Sequence, residues 1–150
     1  METDHNGMAV LSTHECLRRL GRNGIGRIGL SIGALPAILP VMYAVVDGEI
    51  YFQTQPGAKM AAATENAIVA FEVDDSDLLR HTGWSVLVVG RAERVDGPSA
   101  ALLGPPLLRW VGHRDADVLV RIRPEMVSGR QIQIGGAGAT SPQACEVLHA

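Results

Sequence analysis

The sequence predicts a mainly β domain: six or seven short antiparallel strands arranged as a barrel or sandwich, with only minor helices. Three observations predict it. In "GRIGLSI", Ile28, Leu30 and Ile32 alternate with Arg27, Gly29 and Ser31, the period of a half-buried strand. Turn signals, above all Asp47-Gly48 and Pro56-Gly57, cut the chain into apolar runs of strand length. The 150 residues are 47% hydrophobic and 19% charged, enough for one domain with a real core and too apolar for a disordered chain.

Taken in order, residues 1–10 read as a flexible leader. In "LSTHECLRRL", Ser12 is an N-cap with Glu15 three residues on, and Leu11 and Cys16 are placed as a hydrophobic staple. This helix should stop between Gly21 and Gly24. "GRIGLSI" is the first strand, residues Gly33 to Pro36 a turn, and "PAILPVMYAVV" the second strand. Asp47-Gly48 makes a hairpin into "EIYFQT". After Pro56-Gly57, the alanine-rich "AKMAAATE" is a short helix. "AIVAFEVDD" and "WSVLVVGRAERV" are the fourth and fifth strands. Residues 97–110 read as a short helix broken by Pro105 and Pro106. "DVLVRIRP" and "RQIQI" are two last strands around a "PEMVSG" turn, and residues 135–150 form a flexible, glycine-rich tail. One domain, residues 11–134, results.

Several functions are disfavoured at once. A net charge of −3 and a pI near 5.9 give no basic field for nucleic acid. Cys16 and Cys145 suggest no disulfide framework, so a reducing cytoplasm is the expected location. The nineteen uncharged residues from Ile28 to Val46 are long enough for a membrane span, but Pro36, Pro40, Gly29 and Gly33 make two buried strands the better reading. The acidic N-terminus is not a signal peptide. "GIGRIG" fits the G-x-G-x-x-G pattern, yet it follows a helix and enters a strand, the reverse of a dinucleotide-binding turn. His5, His14, His81, His113 and His149 have no metal-ligand spacing, and the acids of "EVDDSD" lack a calcium loop's glycine and distant Glu. No G-x-S-x-G elbow occurs.

The stretch "YFQTQPGAKM" remains. It carries Lys59, the only lysine beside twelve arginines. Thr54 offers a hydroxyl where the strand ends, the Pro56-Gly57 turn can aim N–H groups at an anion, and Lys59 adds a full charge. These are the parts of a phosphate cradle; on physics alone a solvated turn fits equally.

The order "PVMY", hairpin, "IYFQTQPGAK", "VAFEVDD", "GWSVLVVGRAERV" resembles the pyridoxamine 5′-phosphate oxidase-like family of FMN-binding split barrels, in particular its short actinobacterial members, over residues 11–134. The resemblance implies a six-stranded antiparallel split barrel that forms a homodimer with FMN in a groove between subunits. Pro40, Val41, Met42 and Tyr43 would line the flavin ring. Gln53 and Thr54 fall where the family reaches the ribityl chain and phosphate, and Lys59 on a basic phosphate ligand. Met60 stands where the family has a second basic residue. Ser85 aligns with a glutamine that reaches the flavin from the partner subunit, and Trp84 beside it packs either against the ring edge or in the core.

The family oxidase's substrate-phosphate grip is absent from "RIRPEMVSGRQIQI", so oxidation of pyridoxamine phosphate itself is not expected. What is expected is an FMN-dependent oxidoreductase acting on a small molecule, with no catalytic acid or base supplied by the chain. A deazaflavin coenzyme on the same fold, a non-enzymatic flavin or haem carrier, and an empty barrel acting as an interaction module are the alternatives.

Overall fold

The structure is a computed structural model of the chain and describes residues 2–22, 24–96 and 118–132. The helix expected over 97–110 and the tail from 135 lie outside these residues. Among the described residues nine elements follow in order: β1 (Ala9–Val10), α1 (Thr13–Leu20), β2 (Gly24–Ile32), β3 (Leu35–Val46), β4 (Glu49–Thr54), α2 (Lys59–Ala63), β5 (Ile68–Asp77), β6 (Thr82–Val95) and β7 (Val118–Ile132). All strand pairings are antiparallel, in the order β1-β7-β4-β3-β2-β5-β6, and β6 also pairs with β7. That last pairing closes β2 to β7 into the predicted six-stranded barrel.

Turn chemistry sets the registers. Asp47 (φ 52°) and Gly48 (φ 79°) form a two-residue turn that pairs Val46 with Glu49. Between β2 and β3 the turn is tighter than the sequence suggests. Gly33 (φ 55°) and Ala34 (φ 65°) suffice, and Pro36 already lies in β3 opposite Ser31.

Strand β3 parts company with β4 early. It pairs with β2 from Leu35 to Tyr43 but with β4 only from Tyr43 to Val46. From Leu35 to Met42 its other edge meets no described strand, and this is the split in the barrel. Pro36 and Pro40 have no N–H to donate, so they fit where the backbone nitrogen faces away from β2. By the alternation of the ladder, the N–H groups of Ile38 and Met42 face the same open edge.

The two strands expected around "PEMVSG" are instead one, β7, carried through by a bulge. Val89 pairs with Met126 and Gly90 with Pro124, leaving Glu125 as the extra residue. The bulge inverts the side-chain alternation: Val118, Val120 and Ile122 are buried before it, and Gly129 is buried after it.

Phe52, Phe71, Ile28, Ile50, Ile122 and Val88 fill the barrel. Helix α1 plugs one end with Cys16 and Leu20, both fully buried. A Cβ on Gly129 would stand 2.6 Å from the Cys16 Sγ, so glycine there is what lets the helix sit down. Burial raises the Cys16 thiol pKa, which makes it packing rather than a nucleophile.

Ser12 caps α1 as expected, its Oγ accepting the Glu15 N–H at 3.2 Å. The Glu15 carboxylate accepts from Arg18 at 2.7 Å and from Arg19 at 2.9 Å. Those hydrogen bonds hold its pKa down at about 2. A carboxyl lowered on folding stabilises above its ordinary pKa of 4.5, and that contribution is lost as pH falls towards about 2. The thermal midpoint of Glu15→Gln is therefore expected to lie below wild type at pH 6 and to converge on it through this window. A gap that stays constant with pH would contradict the assignment.

Candidate functional site

The residues singled out in the sequence fall into two groups. The first surrounds the split. On β3, Val41 and Tyr43 point into the core, 3% and 4% exposed, while Pro40 lies exposed and Met42 half-buried on the outer face. Tyr43 is committed to structure. Its hydroxyl donates to the Leu20 carbonyl at 2.8 Å, its ring meets Phe71 edge-on at 5.0 Å, and burial pushes its pKa up to about 12. It offers no proton at neutral pH. What β3 presents to the split is backbone, including the Met42 N–H.

Across the split, β4 carries Gln53 and Thr54, paired on their far side with Leu119 and Val118 of β7. Thr54 is buried, and among the described residues its hydroxyl has no hydrogen-bond partner. The chain then turns through Pro56 and Gly57 (φ 73°) into α2, whose first residue is Lys59. Lys59 is exposed and pairs with no carboxylate among the described residues. Met60 is half-buried and packs against the core cluster. A cation that the sequence did not bring to this turn is Arg94: with Pro56, Gly57, Ala58 and Val118 it lines a cleft of about 220 Å³. Its Nε holds Asp96 at 2.7 Å.

The second group is Trp84 and Ser85, near the start of β6. Ser85 pairs with Asp74 and Arg130, and Trp84 with Asp75 and Gln131. Following the ladders β6–β5–β2–β3, Ser85 lies level with Met42, three strand spacings or about 14 Å away. Trp84 carries the Arg19 guanidinium carbon 4.9 Å over its ring and that of Arg22 at 6.0 Å. Arg123 and Arg130 are engaged elsewhere, Arg123 with Glu49 at 3.3 Å and Arg130 with Asp4 at 3.0 Å. Among the described residues no three His, Cys, Asp or Glu side chains converge to hold a metal ion, and no helix is long and apolar enough to cross a membrane.

A six-stranded antiparallel barrel split beside its second hairpin defines the class. Residues 12–131 match the pyridoxamine 5′-phosphate oxidase family. The chain belongs to that family. It is 39% identical over 128 residues to the Mycobacterium tuberculosis protein Rv0080, covering 81% of this chain and 84% of that one. Among solved structures, the FAD binding protein from Mycobacterium smegmatis superposes with a TM-score of 0.74 at 32% identity, over 85% of this chain and 100% of that one. An FAD-binding protein from Mesorhizobium loti gives a TM-score of 0.66 at 26% identity, over 84% and 99%.

Proposed function

We propose that this protein binds a flavin in the split between β3 and β4 and uses it for oxidation–reduction of a small molecule. One observation carries the reading. An open edge of β3 faces the end of β4, where among the described residues the Thr54 hydroxyl has no hydrogen-bond partner, and Lys59, paired with no carboxylate among them, follows five residues on at the start of α2. The backbone of Pro40 to Tyr43 suits the polar edge of a planar ring. Gln53 and Thr54 suit the ribityl chain and its phosphate, with Lys59 as counter-charge. Arg94, beside the Pro56–Gly57 turn, is the available second cation where Met60 is apolar. The FMN moiety accounts for these contacts, and the FAD named for two solved relatives contains it. Bound there, the isoalloxazine would supply hydride or electron transfer, and the chain would supply position and electrostatics.

The reading also includes a homodimer, in which Ser85 faces the partner's flavin. The outer face of the sheet supports this. Ile38, Gly29, Ala70, Val89 and Met126 stand side by side across five strands, with Ile38 73% and Met126 52% exposed. A row of that kind is what a subunit contact covers.

The test is the absorbance spectrum of the purified protein, with mass spectrometry of what heat denaturation releases. Flavin bands and a released flavin are the expected result; a colourless protein that takes up neither FMN nor FAD would end the proposal. Removing a charged hydrogen bond costs about 1.5–3 kcal/mol, so Lys59→Ala should weaken flavin binding roughly tenfold or more. Unchanged affinity in a titration of the variant would remove Lys59 from the site.

A further inference from the structure

We propose that the cleft beneath the tip of the β5–β6 hairpin binds an aromatic base bearing a phosphate. That chemistry is shared by a free nucleoside monophosphate and the adenylate half of a dinucleotide cofactor; the second source rests on the flavin reading above.

The cleft has a volume of about 720 Å³ and lies between the end of α1 and the hairpin tip. That is the size of a small-molecule site. Its inner wall is Trp84 with Arg19 stacked over the ring, so the planar surface offered to a base is the Arg19 guanidinium backed by the indole. The same wall holds guanidinium donors that are not all used. Arg19 Nε donates to Glu15 at 2.9 Å and Nη2 to Gln131 at 2.6 Å, but Nη1 is buried with no hydrogen-bond partner. A buried orphan donor is rare in a folded protein and points to a partner from outside the chain. Arg22, exposed at the turn after α1, meets Trp84 at 6.0 Å and pairs with no carboxylate among the described residues. The Arg22 guanidinium, beside the same aromatic face, has the fork geometry that a phosphate takes.

The outer wall limits the choice further. Asp77 is already used, accepting the Leu79 and Arg80 N–H groups at 3.0 Å and the Arg80 side chain at 3.5 Å. Asp75 and Thr82 remain to meet ribose hydroxyls. The Asp75 carboxylate also disfavours a longer polyphosphate on that side. A base, a sugar and one phosphate thus each have a counterpart.

The experiment uses the full chain. Calorimetric titration with AMP should give saturable binding at one site per chain. Arg22→Met should weaken it at least tenfold while the exposed turn keeps its fold, and Trp84→Leu should weaken it independently. In parallel, FMN and FAD are titrated. If the base arrives with the cofactor, FAD binds at least tenfold more tightly than FMN, and Arg22→Met abolishes the difference without changing FMN affinity. AMP binding with no flavin binding would support the cleft and sink the flavin reading. The proposal is overturned if AMP does not bind and FAD and FMN bind equally. It is also overturned if AMP binding or an FAD preference survives both substitutions.

Discussion

Phe71→Ala is expected to destabilise the protein by about 3–5 kcal/mol, the cost of emptying a fully buried aromatic site. Phe71 is 0% exposed and stands at the centre of the barrel. Its ring occupies the place a side chain at residue 26 would take: a Cβ on Gly26 would fall 2.2 Å from the Phe71 Cζ. Gly26, which the ring covers, has no side chain to move into the space. Tyr43 loses its edge-on partner as well, and Tyr43 ties β3 to α1 through the Leu20 carbonyl. The loss therefore reaches the open edge of β3. Chemical denaturation of both proteins measures the difference. Gly26→Ala gives a second check, since it should be costly in wild type and much milder alongside Phe71→Leu. A loss below about 1 kcal/mol for Phe71→Ala would mean that the ring does not fill the core as described.

Much of this arrangement was legible in the sequence because it is local. Asp47-Gly48 fixes one hairpin, the alternation of Ile28 and Leu30 fixes the buried face of β2, and Ser12 marks the start of α1. The "GIGRIG" glycines proved to be strand, with Gly26 making room for Phe71. The site was legible only in part. Thr54 and Lys59 sit close in sequence, and the structure keeps them at one turn. The split itself depends on where β3 leaves β4, a long-range matter that no local pattern encodes.

Three misses share that cause. Strand β1 has two residues and exists only because β7 lies beside it. The join across "PEMVSG" requires the partner β6, which accommodates Pro124 opposite Gly90. Arg19 and Arg22 carry no local signal of a site, and only closure of the barrel brings Trp84 under them.

Gly90→Ala is the second large effect, and its mechanism differs. A Cβ at residue 90 would stand 2.0 Å from the Arg123 carbonyl oxygen, 2.8 Å from its carbonyl carbon and 3.1 Å from the Pro124 Cα. All three atoms are main chain, so no rotamer change relieves the clash and β7 must move away from β6. Forced overpacking costs about 1–3 kcal/mol, and a backbone obstacle puts this case at or above the upper figure. Gly129→Ala makes the useful contrast. Its two shortest clashes are with side chains, the Cys16 Sγ at 2.6 Å and the Leu11 Cδ1 at 2.9 Å, with the Ser85 carbonyl oxygen at 3.1 Å, so Cys16→Ala should recover part of that loss. Arg123→Ala should recover nothing for Gly90→Ala. The damage also has a direction. The bulge sets which face of β7 carries Gly129 inward, and a one-residue slip would turn that glycine out and drive Ser128 or Arg130 towards α1. Helix α1 would lose its seat, and Arg19 and Arg22 their place over Trp84. Denaturation midpoints for the four variants, with AMP titration of those that fold, test the chain of consequences. Gly90→Ala within about 1 kcal/mol of wild type would show that the bulge is not sterically held.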